Sequence, residues 1–190
     1  MTGPVRPEMN SMTQPRKGFR EGLVIVHTGD GKGKTTAALG LAMRAIGRGM
    51  RVCMIQFIKS DEGTGEAVVA RRYLPQLTLK TMGCGFVFDE WTPEDIAAAR
   101  EAWQAACKAV QSDDYDMVIL DEVTYVLSAC AVTVEELQNL LSRRPKNMTL
   151  VFTGRDASEE LIEAADLVTV MQCAKHPFEG GVKAQKGIEY

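Results

Sequence analysis

From residue 22 onward, short apolar runs alternate with stretches of helical periodicity, and this alternation restricts the chain to a parallel sheet covered by helices. Six runs read as buried strands, at 23–27, 52–58, 77–82, 117–120, 149–153 and 167–171. The intervening segments read as helices. The stretch 35–48 places Leu39, Ala42, Met43 and Ile46 on one face, and Gly49 stops it. The segment 93–111 opens with Thr92 as N-cap, Pro93 at the first helical position and Asp95 completing a capping box. Thr133 with Glu136 repeats the capping pattern, and that helix ends near Arg143 and Arg144, before Pro145. A short fourth helix is expected over 158–165. There is no internal repeat, low-complexity segment or linker after residue 21. The expectation is one α/β domain with a doubly wound, mainly parallel sheet.

Composition narrows the class. The 190 residues are 45% hydrophobic with a net charge of −3, which excludes collagen-like, disordered and disulfide-scaffold chains. A domain of this size buries about 70% of the surface of its unfolded chain. The longest charge-free stretch, 123–134, is far short of the roughly 20 apolar residues of a membrane helix, so no membrane span is expected. Charge is uneven at one end: residues 1–20 hold Arg6, Arg16, Lys17 and Arg20 against Glu8 alone. The body from 21 carries 18 basic and 24 acidic residues, a net of −6, which argues against nucleic acid as a partner. The opening segment has no apolar core of a secretory signal and is broken by Pro4, Pro7, Pro15 and Gly18. It reads as a flexible arm, either a solvated tail or a flap over a ligand. Cys53, Cys84, Cys107, Cys130 and Cys173 form no C-x-x-C pair, and with only His27 and His176 besides, structural zinc is not expected. Reduced thiols in a cytoplasmic protein are the default reading.

Chemistry enters at Thr28-Gly29-Asp30-Gly31-Lys32-Gly33-Lys34-Thr35-Thr36, between an expected strand and an expected helix. Binding a polyphosphate takes glycines that let backbone N–H groups curl round an anion, a helix N-terminus aimed at it and a lysine to neutralise it. This run supplies all three. The common P-loop is G-x4-G-K-[ST], and counting back from Gly33-Lys34-Thr35 puts Thr28 at its first glycine. Gly29 and Gly31 keep the loop pliable despite that departure.

A second signal is Met117-Val118-Ile119-Leu120-Asp121-Glu122, an apolar run ending in two carboxylates. Ligands of α/β sheets bind beyond the C-terminal strand ends, so Asp121 and Glu122 should face the glycine-rich loop. A hydroxyl from Thr35 or Thr36 with these carboxylates would hold a magnesium ion on the phosphates. These motifs specify a magnesium–nucleoside triphosphate site and leave the attacked atom open: an ATPase or small-molecule kinase, a nucleotide-gated sensor and a rarer transferase all fit.

Further blocks narrow that choice. They are Gly29 to Ala38, Gln56-Phe57-Ile58-Lys59, Gly85-Phe86-Val87-Phe88, Leu120 to Tyr125, Thr153-Gly154-Arg155 and the closing segment 176–190. Together they resemble the P-loop class of ATP:corrinoid adenosyltransferases over residues 21–190, leaving 1–20 as the arm. The resemblance implies a recombinase-like P-loop NTPase fold. It also implies a reaction in which cobalt(I) of a reduced corrinoid attacks the ribose C5′ of ATP and expels triphosphate. ATP would lie reversed in the cradle formed by 28–36, with Arg155 on the phosphates. No general acid or base is needed; Lys34 would stabilise the leaving group, and Thr35, Asp121 and Glu122 would bind magnesium.

The resemblance further places Phe86 and Phe88 against the corrinoid, where they would displace its lower axial ligand so that a reduced flavoprotein can generate cobalt(I). Phe88 departs from the tryptophan more common there. His176 would contact the corrinoid or fix the C-terminal segment. Lys59 and Glu66 also match family positions, although Ser60 replaces the usual glycine, and Asp30 replaces an asparagine. Neither histidine sits in a D-x-H-x-x-G motif, and His27 reads as a packed residue beneath the loop. A homodimer is the family expectation.

Overall fold

The computed structural model describes residues 21–60, 63–85 and 90–188, apart from the side chains of Phe178 and Glu179. The expected arm and both Phe86 and Phe88 lie outside the described residues. Six strands run in the order β1 Val24–Thr28, β2 Val52–Gln56, β3 Leu77–Thr81, β4 Met117–Asp121, β5 Thr149–Thr153 and β6 Leu167–Val170. The helices are α1 Lys34–Ile46, α2 Gly65–Tyr73, α3 Pro93–Gln111, α4 Val123–Ser128, α5 Val134–Arg143 and α6 Glu159–Glu163, with a 3-10 turn at Pro177–Gly180. The strands form one sheet in the order β3-β2-β4-β5-β1-β6, and every pairing is parallel.

Strand alternation divides the core into two layers. Val24, Val26, Cys53, Ile55, Val118, Leu120, Leu150 and Phe152 face α3 and α5, where Trp103, Ala106, Leu137 and Leu140 are buried against them. Ile25, Val52, Met54, Met117, Ile119 and Val151 face the other way, onto Ala38, Ala42 and Ala45 of α1 and Ala70 of α2. The register is level across the sheet: Gln56 pairs with Asp121, and His27 with Thr153. Polar residues that end four different strands therefore meet at one edge.

Both expected capping boxes form. Thr92 caps α3 with Asp95, and Thr133 caps α5 with Glu136, each with reciprocal hydrogen bonds. Three expectations need correction. The sequence 167–171 forms a strand but not a buried one, because β6 is an edge strand whose residues are exposed; β3, at the other edge, is only partly buried. On α1 the core face is the alanine row Ala38, Ala42 and Ala45, which lets the helix approach the sheet, while Met43 stays 65% exposed. Two helices, α2 and α4, arise where none was expected.

Candidate functional site

The loop after β1 bends where its glycines permit. Thr28 continues the strand, buried, with its carbonyl accepting from the Met171 N–H at 2.8 Å and its hydroxyl from the Ala157 N–H at 3.2 Å. The left-handed turn falls one residue later, at Gly29 with φ 93°, and a second at Gly33 with φ 118°. A side chain at Gly29 or Gly31 would strike the backbone of Met171 or Gln172, so the loop lies pressed against the segment leaving β6. Thr28 thus sits where the common motif has glycine because the backbone there is still extended. Gly33 caps α1, whose first turn carries no acidic residue to offset the positive end of the helix dipole.

Lys34 reaches back across this loop, its Nζ donating to the carbonyls of Gly29 at 2.6 Å and Gly31 at 2.7 Å. Burial, then the charge of Arg155, lowers its pKa against the opposing pull of Asp30, Glu122 and Asp156. Arg155 stands 3.9 Å from Asp30, an exposed pair at the loop's rim.

Asp121, fully buried at the end of β4, is the hub. Its Oδ1 accepts from Thr35 Oγ1 at 2.8 Å and from Thr153 Oγ1 at 2.7 Å. Its Oδ2 accepts from Gln56 Nε2 at 3.1 Å, with Lys59 Nζ 3.6 Å away. Lys59 also donates to Glu66 Oε1 at 2.8 Å, and Gln56 Nε2 donates to the same oxygen at 3.1 Å. Burial works against both members of the Lys59–Glu66 pair. The carboxylates around Lys59 outweigh it and raise the lysine's pKa, and the Lys59 hydrogen bond and charge outweigh it and lower that of Glu66.

Glu122 follows with φ 63°, a left-handed conformation in a non-glycine residue, its N–H donating to Thr153 Oγ1 at 2.8 Å. Burial and the charge of Asp121 push its pKa up to about 7, and its Oε2 is buried without a hydrogen-bond partner. A buried unpartnered carboxylate oxygen on a cavity that Thr35 also lines is a hard-oxygen ligand of the kind a divalent cation takes. Among the described residues no group of three or more His, Cys, Asp or Glu side chains could by itself hold a metal. A metal here would complete its shell with phosphate oxygens or water.

A cavity of about 720 Å³ unites these groups. Asp30 to Thr36, Lys59, Glu66, Glu122, Tyr125 and Arg155 line its polar part. Its apolar part is walled by Leu39 and Met43 of α1, Val69 of α2, and Leu74 and Leu77 beyond α2, with His176 and Ile188 of the closing segment at its border. The exposed Met43 thus belongs to the cavity wall. His27 is buried with both ring nitrogens unpartnered and its pKa lowered by burial, a packed residue beneath the loop as expected.

Among the described site candidates, the structure gathers 30–36, Glu122, Arg155 and His176 around the cavity, and Asp121 lies immediately behind it. Sequence reasoning quoted Gln56 and Thr153 only within the blocks that carry the resemblance and gave neither a role, and it missed α2, which carries Glu66. A signal for α2 was present in Glu66 near its start and in Arg71 and Arg72 in its last turn. All five cysteines are unpaired, and among the described residues no helix is long and apolar enough to cross a membrane.

The flagellar accessory protein FlaH of Methanocaldococcus jannaschii shares the fold, with a TM-score of 0.54 over 80% of this chain and 72% of that one at 14% identity. The corrinoid adenosyltransferase of Escherichia coli K12 is 42% identical over 170 residues, 89% of this chain and 86% of that protein. That of Pseudomonas aeruginosa is 39% identical over 89% of this chain and 84% of its own length. The corrinoid adenosyltransferase CobA of Salmonella typhimurium is also 39% identical, over 89% and 86%. The family model for ATP:corrinoid adenosyltransferase BtuR/CobO/CobP matches residues 20–190, and the chain belongs to that family of P-loop transferases.

Proposed function

We propose that residues 21–190 form the catalytic unit of an enzyme that transfers the 5′-deoxyadenosyl group of ATP to the cobalt of a reduced corrinoid. The products would be adenosylcobalamin, or an adenosylated precursor, and triphosphate. The observation that carries this reading is the continuity of the cavity. A phosphate cradle at 30–36 opens directly into an apolar compartment between α1 and α2, so an anionic leaving group and a nucleoside with an apolar acceptor can be held together.

The electron pair of cobalt(I) forms the cobalt–carbon bond at C5′ as the carbon–oxygen bond breaks, and triphosphate departs with that bond's electrons. The nucleophile arrives with the substrate, so the protein's part is position and charge. The amides of 29–34 and the Lys34 ammonium would face the charge that develops on the triphosphate. Arg155 and Lys32 would add to that field from the rim. Thr35, Asp121 and Glu122 would hold Mg2+, which when bound neutralises part of the triphosphate charge. The unpartnered Oε2 of Glu122 supports that assignment.

Phe86, Phe88 and His176 are assigned to the corrinoid, with a reduced flavoprotein as electron donor. A cytoplasmic homodimer that binds neither membrane nor nucleic acid completes the proposal. The deciding experiment is an anaerobic incubation with ATP and chemically reduced cobalamin. Tripolyphosphate and an adenosyl–cobalt spectrum are expected. ADP or orthophosphate as the sole phosphorus product would overturn the reading in favour of an ATPase or kinase.

A further inference from the structure

The side chains that hold Asp121 do different work on its two oxygens. The Oδ1 edge takes two hydroxyls, Thr35 and Thr153, and Thr35 belongs to the first turn of α1, in the cavity wall. The Oδ2 edge takes Gln56, which is fully buried at the end of β2. A glutamine amide has two N–H groups, and here one nitrogen serves two carboxylates: Asp121 Oδ2 and Glu66 Oε1, each at 3.1 Å. The opposite amide orientation would set its oxygen against two carboxylates, so charge alone fixes which way it faces. Its own oxygen, Oε1, is buried without a partner and contributes nothing to that choice.

Glu66 is held in turn by Lys59 at 2.8 Å, and Lys59 stands 3.6 Å from Asp121 Oδ2. Gln56, Lys59 and Glu66 therefore form a closed ring with Asp121, in which a single neutral amide separates two carboxylates and one ammonium offsets one of their two negative charges. The ring joins β2, the start of α2 and β4. In this arrangement the Lys59 ammonium is committed to carboxylates on two sides.

We infer that Gln56 is a positioning residue, kept in its donor orientation by the Lys59–Glu66 pair, which locks the Oδ2 edge of Asp121 so that the Oδ1 edge and the Thr35 hydroxyl stay in register for a divalent cation. The inference rests on the magnesium–triphosphate reading above. It also assigns Lys59 to the carboxylate ring and not to the nucleotide's phosphates. A carboxylate pinned on one edge cannot rotate away from its ligand, so losing the pin should weaken metal binding and leave the anion cradle untouched.

The test uses two variants that do not change the net charge around the site, so the electrostatic attraction for a cation stays constant. Gln56→Met keeps the length of the side chain and removes both N–H donors. Lys59→Met/Glu66→Gln, at the cavity surface, removes one positive and one negative charge together. ATP binding is measured by calorimetry on the full chain, first with chelator and then across a Mg2+ titration. Gln56→Met is expected to raise the Mg2+ concentration for half-saturation about tenfold, equivalent to about 1.4 kcal/mol. The double variant should raise it about threefold. Chelator ATP affinity should change by less than twofold in both.

Unaltered Mg2+ dependence in both variants overturns the inference. So does a double variant that loses ATP affinity in chelator while keeping its Mg2+ dependence, since Lys59 would then be a phosphate ligand. If Gln56→Met fails to fold, the double variant decides alone. Failure of the parent reading shows up separately, as ATP binding by the unmodified protein that does not respond to Mg2+ at all.

Discussion

Gly154, directly after β5, combines a left-handed backbone with a close approach by a buried side chain. Its φ is 143°, and a Cβ built there would overlap the hydroxyl of Thr124 and lie 2.9 Å from Thr124 Cβ and 3.2 Å from its Cγ2. Thr124 is itself buried at the start of α4, two residues after Glu122, and cannot swing aside into solvent. Gly154→Ala therefore incurs two costs. Holding an alanine in a backbone region it rarely adopts costs about 1–3 kcal/mol. Overpacking against a fixed neighbour adds about 1–3 kcal/mol. The sum, about 2–6 kcal/mol, is a large part of the roughly 5–15 kcal/mol that stabilises an ordinary domain.

Urea unfolding followed by far-ultraviolet circular dichroism measures the loss. The cycle with Thr124→Ala separates its parts. That substitution alone should be nearly neutral, because the Thr124 hydroxyl is buried with no hydrogen-bond partner. Combined with Gly154→Ala, it should recover about 1–2 kcal/mol of the steric cost and none of the conformational cost. Stability of Gly154→Ala within about 0.5 kcal/mol of the unmodified protein would refute the reasoning, as would strict additivity of the two changes.

Lys34→Ala should lower kcat about 10²–10³-fold, the usual cost of removing one group that faces charge developing on a leaving group. Circular dichroism should show an intact fold, and unchanged turnover would remove the loop from the mechanism. The pH dependence of ligand-free stability should carry the mark of Glu122. Its folded pKa of about 7 lies above the ordinary 4.5, so between those values the native state holds more protons than the unfolded one. Stability from this group is therefore greatest below pH 4.5 and falls as pH rises to 7. Glu122→Gln should stabilise the ligand-free protein by roughly 2–3 kcal/mol at pH 8 and by little at pH 4, checked by urea midpoints at both. An equal effect at the two pH values would show that the carboxyl titrates normally.

What could be read in advance follows the range of the interactions. The caps at Thr92 with Asp95 and Thr133 with Glu136 formed as expected because each is closed within four residues. The turn at Gly29 and the helix beyond Gly33 are equally local. The α1 stripe was harder. Leu39, Ala42, Met43 and Ile46 do share a helical face, but periodicity reports only that apolar residues align, not whether they meet the sheet or a cavity. The alanine row could approach the sheet more closely and took the core. The strand at 167–171 was legible as a strand; its exposure follows from edge position, which depends on how five other strands are ordered.

By itself, the sequence determined the α/β class, the glycine-rich loop after β1 and the approach of Thr35 to Asp121, since topology places strand ends of a parallel sheet together. The tertiary structure alone decided what else surrounds Asp121. Gln56 and Thr153 lie 65 and 32 residues away from it in the chain. Contacts over such separations leave no period or spacing in the chain. They are selected by sheet order and register, which bring four strand ends to one level and leave a buried carboxylate to be satisfied by whatever donors arrive there.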